Sequence, residues 1–329
     1  MSKNAKKLLL AVTVLILALA AVLLVGQYLQ DSGPEEARSV GSDGFGRYER
    51  LTYRGQEYIK RTDVTVILLM GIDLRGQAEG TGFRSGGQND FNMLLVLDHT
   101  NKVIRRLQLD RDAVTDVEVL GILGKPIGHR QLQLCLAHGY GATQKDCCEN
   151  AIQSIEYLLQ GAVDIDLYAT IRIDAIPIIN AALGGVTVTV PEDMTSVDPA
   201  MTKGAVLKLN GQQAEYMVRS RITIGDGSNE ARMTRQKVYI DAAEKLFMSR
   251  IKSSVSFFDT FLDDLGSNMF TNMTRGRMVN ECNRAYKYAM QDIEYLQGTR
   301  SIGDDGHVVF LADEQFVIDW VLSTLYRLP

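Results

Sequence analysis

Acidic side chains stand at the ends of two predicted neighbouring strands. Asp73 follows an apolar, β-branched run at residues 64–70, and Asp90 comes immediately before a second strand predicted at residues 92–97. Ligands of α/β sheets bind at strand ends, and carboxylate oxygens suit Mg²⁺, a hard cation. The two residues therefore indicate a metal site, and the alternative is a pair of turn aspartates that only form local hydrogen bonds.

A second set of polar side chains is concentrated within 18 positions and consists of Arg219, Arg221, Arg232, Arg235 and Gln236. The last three are three and four positions apart, so they share one helical face. Ser228 or Asn229 can cap that helix, which places the three in its first two turns. Helix N-termini favour anions, and the planar guanidinium binds phosphate through two hydrogen bonds. The set predicts a polyanion site, and a solvated basic face is the alternative.

A third candidate lies after the strand predicted at residues 102–109, where Arg111 and Asp112 follow Leu109-Asp110. Taken alone, Arg111 is best explained by pairing with its acidic neighbours.

Several functional classes are excluded by what the sequence lacks. It has no GxSxG elbow and no GxxxxGK[ST] phosphate loop, and only four histidines. A net charge of −5 gives no reason to expect nucleic acid as a partner. The cysteines form no CxxC pair, which argues against a zinc ribbon, and both a disulfide and free buried thiols stay open for Cys135, Cys147, Cys148 and Cys282.

The N-terminus predicts a membrane anchor. Residues 8–25 are an apolar run that residues 26–29 extend to bilayer-spanning length, and Lys3, Lys6 and Lys7 precede it. The alternative is a cleaved signal peptide. The anchor interpretation gives a cytoplasmic tail at 1–7, a transmembrane helix at 8–29, a stalk at 30–61 and an extracellular domain at 62–329.

Beyond residue 61 the hydrophobic periodicity alternates between strand and helix without a break, which predicts one α/β or α+β domain. Strands are predicted at 64–70, 92–97, 102–109, 167–173, 186–190 and 307–311. Helices are predicted at 149–159, 175–183, 211–218, 233–250, 256–265, 275–290 and 314–326.

An ordered set of short motifs within residues 62–246 resembles the LytR-CpsA-Psr family of exported cell-wall enzymes. The matching fragments are Leu68-Leu69-Met70-Gly71-Ile72-Asp73-Leu74-Arg75, Asn89-Asp90-Phe91-Asn92, Leu109-Asp110-Arg111-Asp112, Ile165-Asp166-Leu167-Tyr168, Ala182-Leu183-Gly184-Gly185-Val186, Leu209-Asn210-Gly211-Gln212-Gln213-Ala214, Arg219-Ser220-Arg221 and Arg232-Met233-Thr234-Arg235-Gln236. Each fragment is weak alone, whereas their order behind an N-terminal anchor is specific.

The resemblance implies an α/β/α-type domain with a mixed central sheet and a pocket for a polyisoprenoid lipid. Such a protein is expected to transfer a glycopolymer from an undecaprenyl-pyrophosphate carrier to peptidoglycan at the membrane. The resemblance gives Asp73 and Asp90 the role of Mg²⁺ (or Mn²⁺) ligands. It gives the pyrophosphate-binding role to Arg111, Arg219, Arg221, Arg232 and Gln236, with Arg235 next to the site. In the implied reaction, either Asp73 or Asp112 is the candidate general base for the acceptor hydroxyl. A pyrophosphate-linked polymer hydrolase and a non-catalytic lipid-pyrophosphate-binding regulator are the alternatives.

The sequence departs from the family pattern in three places, which are Gln88, the loop from Asp73 to Asp90, which is longer than usual, and Asp110. Gln88 stands where an arginine is usual, two residues before Asp90, and Arg84 in the longer preceding loop is expected to supply the missing charge. Asp110 stands where proline is usual, so this extra carboxylate either weakens phosphate binding at Arg111 or adds a metal ligand.

Overall fold

The computed structural model describes residues 50–75, 86–220, 223–254, 257–285, 287–303 and 306–329. The predicted anchor at 8–29, most of the predicted stalk, Arg84 and Arg221 lie outside these residues. Within the described ranges, no helix combines the length and the apolar character that crossing a bilayer requires.

The described part of the chain alternates strands and helices. In chain order the elements are β1 (Arg50–Tyr53), β2 (Gln56–Lys60), β3 (Val64–Asp73), β4 (Gln88–Asp98), β5 (Val103–Leu109), β6 (Val114–Leu120), β7 (Pro126–Gln133), α1 (Gln144–Leu158), β8 (Leu167–Arg172), α2 (Ala175–Ala182), β9 (Thr187–Thr189), β10 (Val206–Lys208), α3 (Gly211–Arg219), α4 (Asn229–Ser253), α5 (Phe257–Leu265), β11 (Met269–Thr271), α6 (Arg275–Ala285), β12 (Ala289–Tyr295), β13 (Gly298–Ile302), β14 (Val308–Ala312), α7 (Glu314–Leu325) and β15 (Tyr326–Arg327).

These elements group into two compact units. Among the described residues, the sheet unit comprises those within 50–170, 270–272 and 292–329, and the helical unit comprises those within 171–269 and 273–291. Each unit is assembled from segments that are distant in sequence, so no change of composition along the chain marks the boundaries between them.

The sheet unit is built around a six-stranded sheet with the order β11-β8-β3-β4-β5-β12, in which β4 is antiparallel to both β3 and β5. Consecutive residues of β4 such as Leu94 and Leu95 are both buried, which shows that both faces of this strand are covered. This explains why β4 reads as a continuous apolar run rather than an alternating one. Ile152 and Ile155 of α1 pack in the same core cluster as Leu94.

Several residues of the motifs in the helical unit stabilise local backbone structure. Asn210 caps α3 in a reciprocal capping box, because its side chain accepts from the Gln213 backbone N–H while the Gln213 side chain accepts from the Asn210 N–H. Gly184 and Gly185 both have left-handed backbone conformations after α2, with φ of 78° and 90°. The Asn180 side chain then joins the Val186 N–H to the Leu209 carbonyl, which fixes the chain around β9.

Several predicted boundaries differ from the structure. The helix predicted at 275–290 is wrong at its end, since α6 stops at Ala285 and residues from Ala289 onward join the sheet as β12. The helix was predicted too long because the apolar pattern of β12 is short, and a short apolar run does not distinguish a strand from a helix. The β6–β7 hairpin was not predicted, and α1 begins at Gln144, where Thr143 forms a capping box.

The last described residues of the predicted stalk are structured. β1 and β2 form an antiparallel hairpin, and β15 at the chain's end pairs with β2. A two-stranded hairpin is only marginally stable alone. Here a third strand stabilises it, and the pairing of Tyr326 with Lys60 shows that this strand lies more than 260 positions away in the sequence. Local composition could not reveal that partner.

Cysteine chemistry is settled for three of the four residues. Cys135, Cys147 and Cys148 are free and buried. Burial raises the pKa of the Cys147 thiol to about 11, so this group is a neutral thiol at physiological pH. The free-thiol alternative is therefore confirmed for Cys135, Cys147 and Cys148.

Candidate active site

The two candidate metal ligands lie at the same end of the β3–β4 pair. Asp73 is the last residue of β3 and is directly opposite Gln88, the first residue of β4. Asp90 is inside β4, two residues from Gln88, and not before the strand as predicted. The predicted strand start was wrong because Gln88 to Asp90 carry no apolar signal, yet they pair with β3.

A β-bulge sets the position of Asp90. Gly71 pairs with Phe91 and the next β3 residue, Ile72, pairs with Asn89, so Asp90 is the extra residue on β4. A Cβ on Gly71 would lie 3.0 Å from the Phe91 Cβ, which explains the glycine at this point. Bulges redirect side chains at the edges of functional sites. Here the bulge lets Asn89 turn inward while the neighbouring Asp90 stays partly exposed.

Buried hydrogen bonds stabilise this bulge. The Asn89 side-chain N–H donates to Asn92 Oδ1 at 2.8 Å, and Asn92 Nδ2 donates to the Asn89 carbonyl at 2.9 Å. Both amides are fully buried, so losing either partner leaves a buried polar group unsatisfied. The motif Asn89-Asp90-Phe91-Asn92 thus specifies a backbone shape as well as a carboxylate.

Arg111 joins the acidic end of the sheet to the chain after β5. Its Nη1 donates to Asp90 Oδ1 at 2.5 Å, and its Nη2 donates to Gln88 Oε1 at 2.9 Å and to Cys135 Sγ at 2.8 Å. Nε lies 3.3 Å from Asp112 Oδ1. Burial lowers the pKa of this guanidinium, but the interactions with Cys135, Asp90 and Asp112 outweigh it, so the pKa is raised and the cation is fixed.

These contacts place four of the predicted or discussed residues together, because Gln88, Asp90, Arg111 and Asp112 form one connected group. The pairing of Arg111 with its acidic sequence neighbours is confirmed for Asp112, whereas Asp110 pairs with Arg300, and the closest partner, Asp90, comes from β4. Cys135 was missed by sequence reasoning, since it lies 24 positions from Arg111 and belongs to no motif. Burial raises the pKa of its thiol to about 11 against the opposing effect of Arg111, so Cys135 acts here as a neutral acceptor.

Asp110, which stands where the family pattern has proline, pairs with Arg300. Its Oδ2 forms a charged hydrogen bond with Arg300 Nη2 on β13, and its Oδ1 accepts from the Asp112 backbone N–H at 2.9 Å. Arg300 Nη1 also lies 3.5 Å from Asp112 Oδ2. Gln133 donates to Asp112 Oδ1 at 3.3 Å. The carboxylate that replaces the usual proline therefore ties the turn carrying Arg111 to β13.

Removing the Arg300 cation is expected to destabilise the fold. Arg300→Met should lower the free energy of unfolding by about 3–5 kcal/mol, because Asp110 and Asp112 are both nearly inaccessible and lose a charged partner. Thermal melting of the full chain measures this. Arg50→Met is the matched control, because Arg50 and Glu57 form an exposed pair worth about 0–1 kcal/mol.

A double variant separates the pair from general damage. Adding Asp110→Ala to Arg300→Met should recover part of the loss and give a coupling energy of about 0.5–3 kcal/mol. Strict additivity of the two single variants would mean that Asp110 and Arg300 do not stabilise each other.

In the helical unit, the start of α4 carries the basic set. Ser228 is the N-cap, since its Oγ accepts from the Ala231 N–H at 3.1 Å. This confirms one of the two predicted capping residues and places Arg232, Arg235 and Gln236 in the first two turns. All three side chains are buried, so the alternative of a solvated face is wrong for these positions.

Two members of the set hold the end of α3. Arg235 forms charged hydrogen bonds through Nη1 to Glu192 and through Nη2 to the Ser220 carbonyl. Gln236 Nε2 donates to the Val218 carbonyl at 3.0 Å. Both carbonyls belong to the last turn of α3 and the residue after it, where Arg219 lies. Arg235 and Gln236 therefore fix the backbone that presents Arg219.

The remaining members differ in exposure. Arg232 is buried, and its Nη2 donates to Asn229 Oδ1 at 2.7 Å. The Arg219 side chain is 45% exposed, with Nη1 4.0 Å from Glu215 Oε1. Exposure makes Arg219 accessible to a soluble or lipid-linked anion, whereas the buried Arg232 is not accessible from solvent in this structure. Arg221 and Arg84 lie outside the described residues.

The residues at the sheet end have the chemistry that a hard divalent cation requires. Asp73 and Asp90 supply carboxylate oxygens, and Mg²⁺ is commonly held by one or two carboxylates, with waters and substrate phosphates as its other ligands. In the described ranges no group of three or more His, Cys, Asp or Glu side chains is arranged to hold a metal. The donor set therefore fits a cation shared with a phosphate substrate better than an all-protein metal centre.

The sheet unit contains an apolar cavity of about 470 Å³. Its lining includes Leu51 of β1, Leu159 after α1, and Val317 and Val321 of α7. None of the predicted site residues lines it, so this cavity is not the lipid pocket that the resemblance implied. That lipid pocket stays a prediction.

A model described as the LytR_cpsA_psr family matches residues 36–319. Over 249 residues the chain is 27% identical to the polyisoprenyl-teichoic acid–peptidoglycan teichoic acid transferase TagU of Bacillus mycoides (strain KBAB4), which covers 76% of this chain and 72% of TagU.

Solved structures show the same architecture. Protein gbs0355 from Streptococcus agalactiae matches with a TM-score of 0.64 at 20% identity, over 80% of this chain and 87% of that one. TagV of B. subtilis matches with a TM-score of 0.58 at 21% identity, over 80% of this chain and 98% of that one. These likenesses confirm the predicted mixed α/β fold with a central sheet.

Proposed function

Because the chain belongs to the LytR-CpsA-Psr family, we propose that it is a phosphotransferase that moves an anionic glycopolymer from a polyisoprenoid-pyrophosphate carrier to peptidoglycan. The observation that carries the proposal is the group at the sheet end, where Arg111 is held between Asp90, Gln88 and Cys135. Preset cations and carboxylates of this kind catalyse phosphoryl transfer by positioning and charge stabilisation. The name of the TagU relative, a teichoic acid transferase, supports the same substrate class.

The reaction joins a sugar hydroxyl of peptidoglycan to the phosphorus on the glycopolymer side of the carrier. The bond from that phosphorus to the bridging oxygen breaks, and the polyisoprenoid phosphate leaves with the bond's electron pair. The hydroxyl proton passes to a base, for which Asp73 at the end of β3 is our candidate, through the carboxylate oxygen that does not hold the cation. Asp112 is less suited, because it contacts both Arg111 and Arg300 and is only 3% exposed.

The basic residues have separate tasks in this proposal. Arg111 neutralises charge that grows on the phosphate oxygens, and Arg219, Arg221 and Arg232 bind the pyrophosphate. Arg235 and Gln236 position the end of α3 through the Ser220 and Val218 carbonyls. Mg²⁺ or Mn²⁺ held by Asp73 and Asp90 would supply further positive charge to the phosphate oxygens.

We place the protein at the cell membrane with its N-terminus in the cytoplasm and residues 62–329 outside, as the Lys-flanked apolar run predicts. A membrane anchor keeps the enzyme where its lipid carrier is found. The polyisoprenoid chain has to pack against apolar protein surface or stay in the bilayer, because it is insoluble in water.

One assay distinguishes the three candidate activities. Full-length protein is incubated with a pyrophosphate-linked glycopolymer carrier and purified peptidoglycan, and both polymer and lipid products are measured. Transfer predicts polymer covalently attached to peptidoglycan together with an equal amount of polyisoprenoid phosphate. Polymer released into water would show a hydrolase instead, and bound carrier without product would show a lipid-binding regulator.

Loss of the Asp90 charge is expected to abolish metal-dependent transfer. Asp90→Asn keeps the side-chain volume but removes a carboxylate ligand, so transfer should fall by about 10²-fold or more. Binding of Mn²⁺, followed directly by its electron paramagnetic resonance signal, should weaken in the same variant. Thermal melting should fall only moderately, because Asp90 pairs with Arg111 at 2.5 Å and the amide oxygen in Asp90→Asn can still accept from Arg111 Nη1.

The control for this variant is Asp116→Asn on β6, which removes a carboxylate of the same unit that pairs with His129 at 2.6 Å. It should retain wild-type transfer and Mn²⁺ binding. If Asp90→Asn also retained both, the metal assignment would be wrong.

A further inference from the structure

The turn between β6 and β7 exposes large aliphatic side chains at its apex. Ile122, Leu123 and Ile127 are 94%, 86% and 63% exposed. An isolated exposed apolar residue is ordinary on a protein surface, but several grouped on one turn mark an interaction site. Residues 121–127 are called the hairpin apex below.

Hydrogen bonds and two glycines give the hairpin apex one shape. The Gly121 N–H donates to the Lys125 carbonyl at 2.8 Å, and the Gly124 N–H donates to the Gly121 carbonyl at 2.8 Å. Gly124 has a left-handed φ of 69°. A Cβ on Gly121 would lie 2.9 Å from Ile127 Cγ2, so the glycine permits this close approach. Because the apex is ordered before contact, docking it loses little conformational entropy.

The charges around the hairpin apex select an anionic partner. Residues 119–131 contain Lys125, His129 and Arg130 but no Asp or Glu, although the whole chain has a net charge of −5. Lys125 and Arg130 are exposed. The nearest acidic residues, Glu118 and Asp116, lie farther down β6; Glu118 is opposite His129, and Asp116 is paired with His129 at 2.6 Å.

Aliphatic side chains with a basic rim match the interface of an anionic bilayer. The apolar side chains enter the boundary between headgroups and acyl chains, and the cations remain at the phosphates. A second copy of the chain fits less well, because Lys125 and Arg130 of two apposed apices would repel each other.

We propose that the hairpin apex docks into the surface of an anionic phospholipid bilayer, with Ile122, Leu123 and Ile127 inserted and Lys125 at the lipid phosphates. The inference rests on the membrane location proposed above. It gives the sheet unit its own contact with the membrane, in addition to the N-terminal anchor. It does not depend on turnover, so it can fail while the transferase activity stands.

A depth measurement tests this contact. Full-length protein carrying Leu123→Cys is labelled with a nitroxide and reconstituted in nanodiscs that contain phosphatidylglycerol. Ile302→Cys supplies the control position, because Ile302 is also an exposed aliphatic residue of the sheet unit. The ratio of oxygen accessibility to nickel-chelate accessibility is expected to be severalfold higher at position 123 than at position 302. Unsubstituted protein treated with the same label gives the background from the native cysteines.

The charge requirement has its own variant. Lys125→Glu in the Leu123→Cys chain should shift the probe toward water, because it brings an anion to the lipid phosphates. Equal nickel accessibility at positions 123 and 302 would overturn the proposal. Dipolar broadening between labels on two chains, with both oxygen and nickel excluded, would overturn it in favour of self-association.

Discussion

Replacing Arg111 with lysine is expected to slow polymer transfer by about 10²–10³-fold, the usual cost of losing one preset donor at an anionic transition state. The two terminal nitrogens of Arg111 contact Asp90, Gln88 and Cys135 at once. Lysine keeps the charge but has no planar fork, so it cannot hold these groups and a phosphate oxygen in one geometry. The measurement is the initial rate of polymer attachment to peptidoglycan at a fixed carrier concentration.

Arg105→Lys is the matched control for this prediction. Arg105 lies on β5 of the same sheet and pairs with Glu294 at 3.0 Å, away from the acidic end of β3 and β4. Its substitution should leave the transfer rate at the wild-type level. If Arg111→Lys were equally active, charge stabilisation by Arg111 would not contribute to the reaction.

Arg235→Met is expected to destabilise the protein by about 3–5 kcal/mol, the range for removing one partner of a buried ion pair. The Arg235 side chain is 1% exposed and bonds both the Glu192 carboxylate and the Ser220 carbonyl. Its loss leaves both acceptors unsatisfied and releases the end of α3. A melting temperature lower by roughly 10 °C should result, measured on the full chain by calorimetry.

Arg219→Lys should show the opposite pattern. Arg219 is 45% exposed and only 4.0 Å from Glu215, so its pair contributes about 0–1 kcal/mol and melting should hardly change. Affinity for a lipid pyrophosphate should fall roughly ten- to a hundredfold, since a bidentate contact worth about 1.5–3 kcal/mol is lost. Wild-type affinity in Arg219→Lys, Arg221→Lys and Arg232→Lys would remove the pyrophosphate role from this set. A wild-type melting temperature for Arg235→Met would contradict the supporting role given to Arg235.

The sequence predicted the bounds of a helix or strand correctly where residues within or next to that element specify it. The predicted strand at 102–109 and the helix at 211–218 agree with β5 and α3 to within one residue at each end. β5 is bounded by turn residues and α3 by a capping box, and both signals are local. The strands β7 and β13 escaped prediction because they are mostly exposed and carry no apolar run, so their stability comes from pairing. β6 alternates buried and partly exposed residues, and its strand signal was missed.

The candidate site was predictable in its residue types and only partly in its contacts. Asp90 and Arg111 were both singled out, and the structure joins them directly. Cys135 and Arg300 carried no signal, because each reaches the group from another part of the chain. Arg235 is the instructive case, since the same guanidinium that suggested phosphate binding is bonded to Glu192 and a carbonyl of its own unit.

By itself the sequence determined the family of this protein and the carboxylates and arginines available to it. It also determined the local features, namely capping boxes, glycines and apolar runs, because these act within a few residues of one another. Tertiary structure alone decided which charges neutralise which. It placed Asp110 against Arg300, 190 residues later. The carboxylate that the sequence suggested could weaken phosphate binding at Arg111 is instead neutralised in an ion pair. The physical reason is that an unpaired buried charge is costly, so its stability depends on an oppositely charged partner in the same low-dielectric surroundings. Chain folding, and not distance along the sequence, brings that partner close.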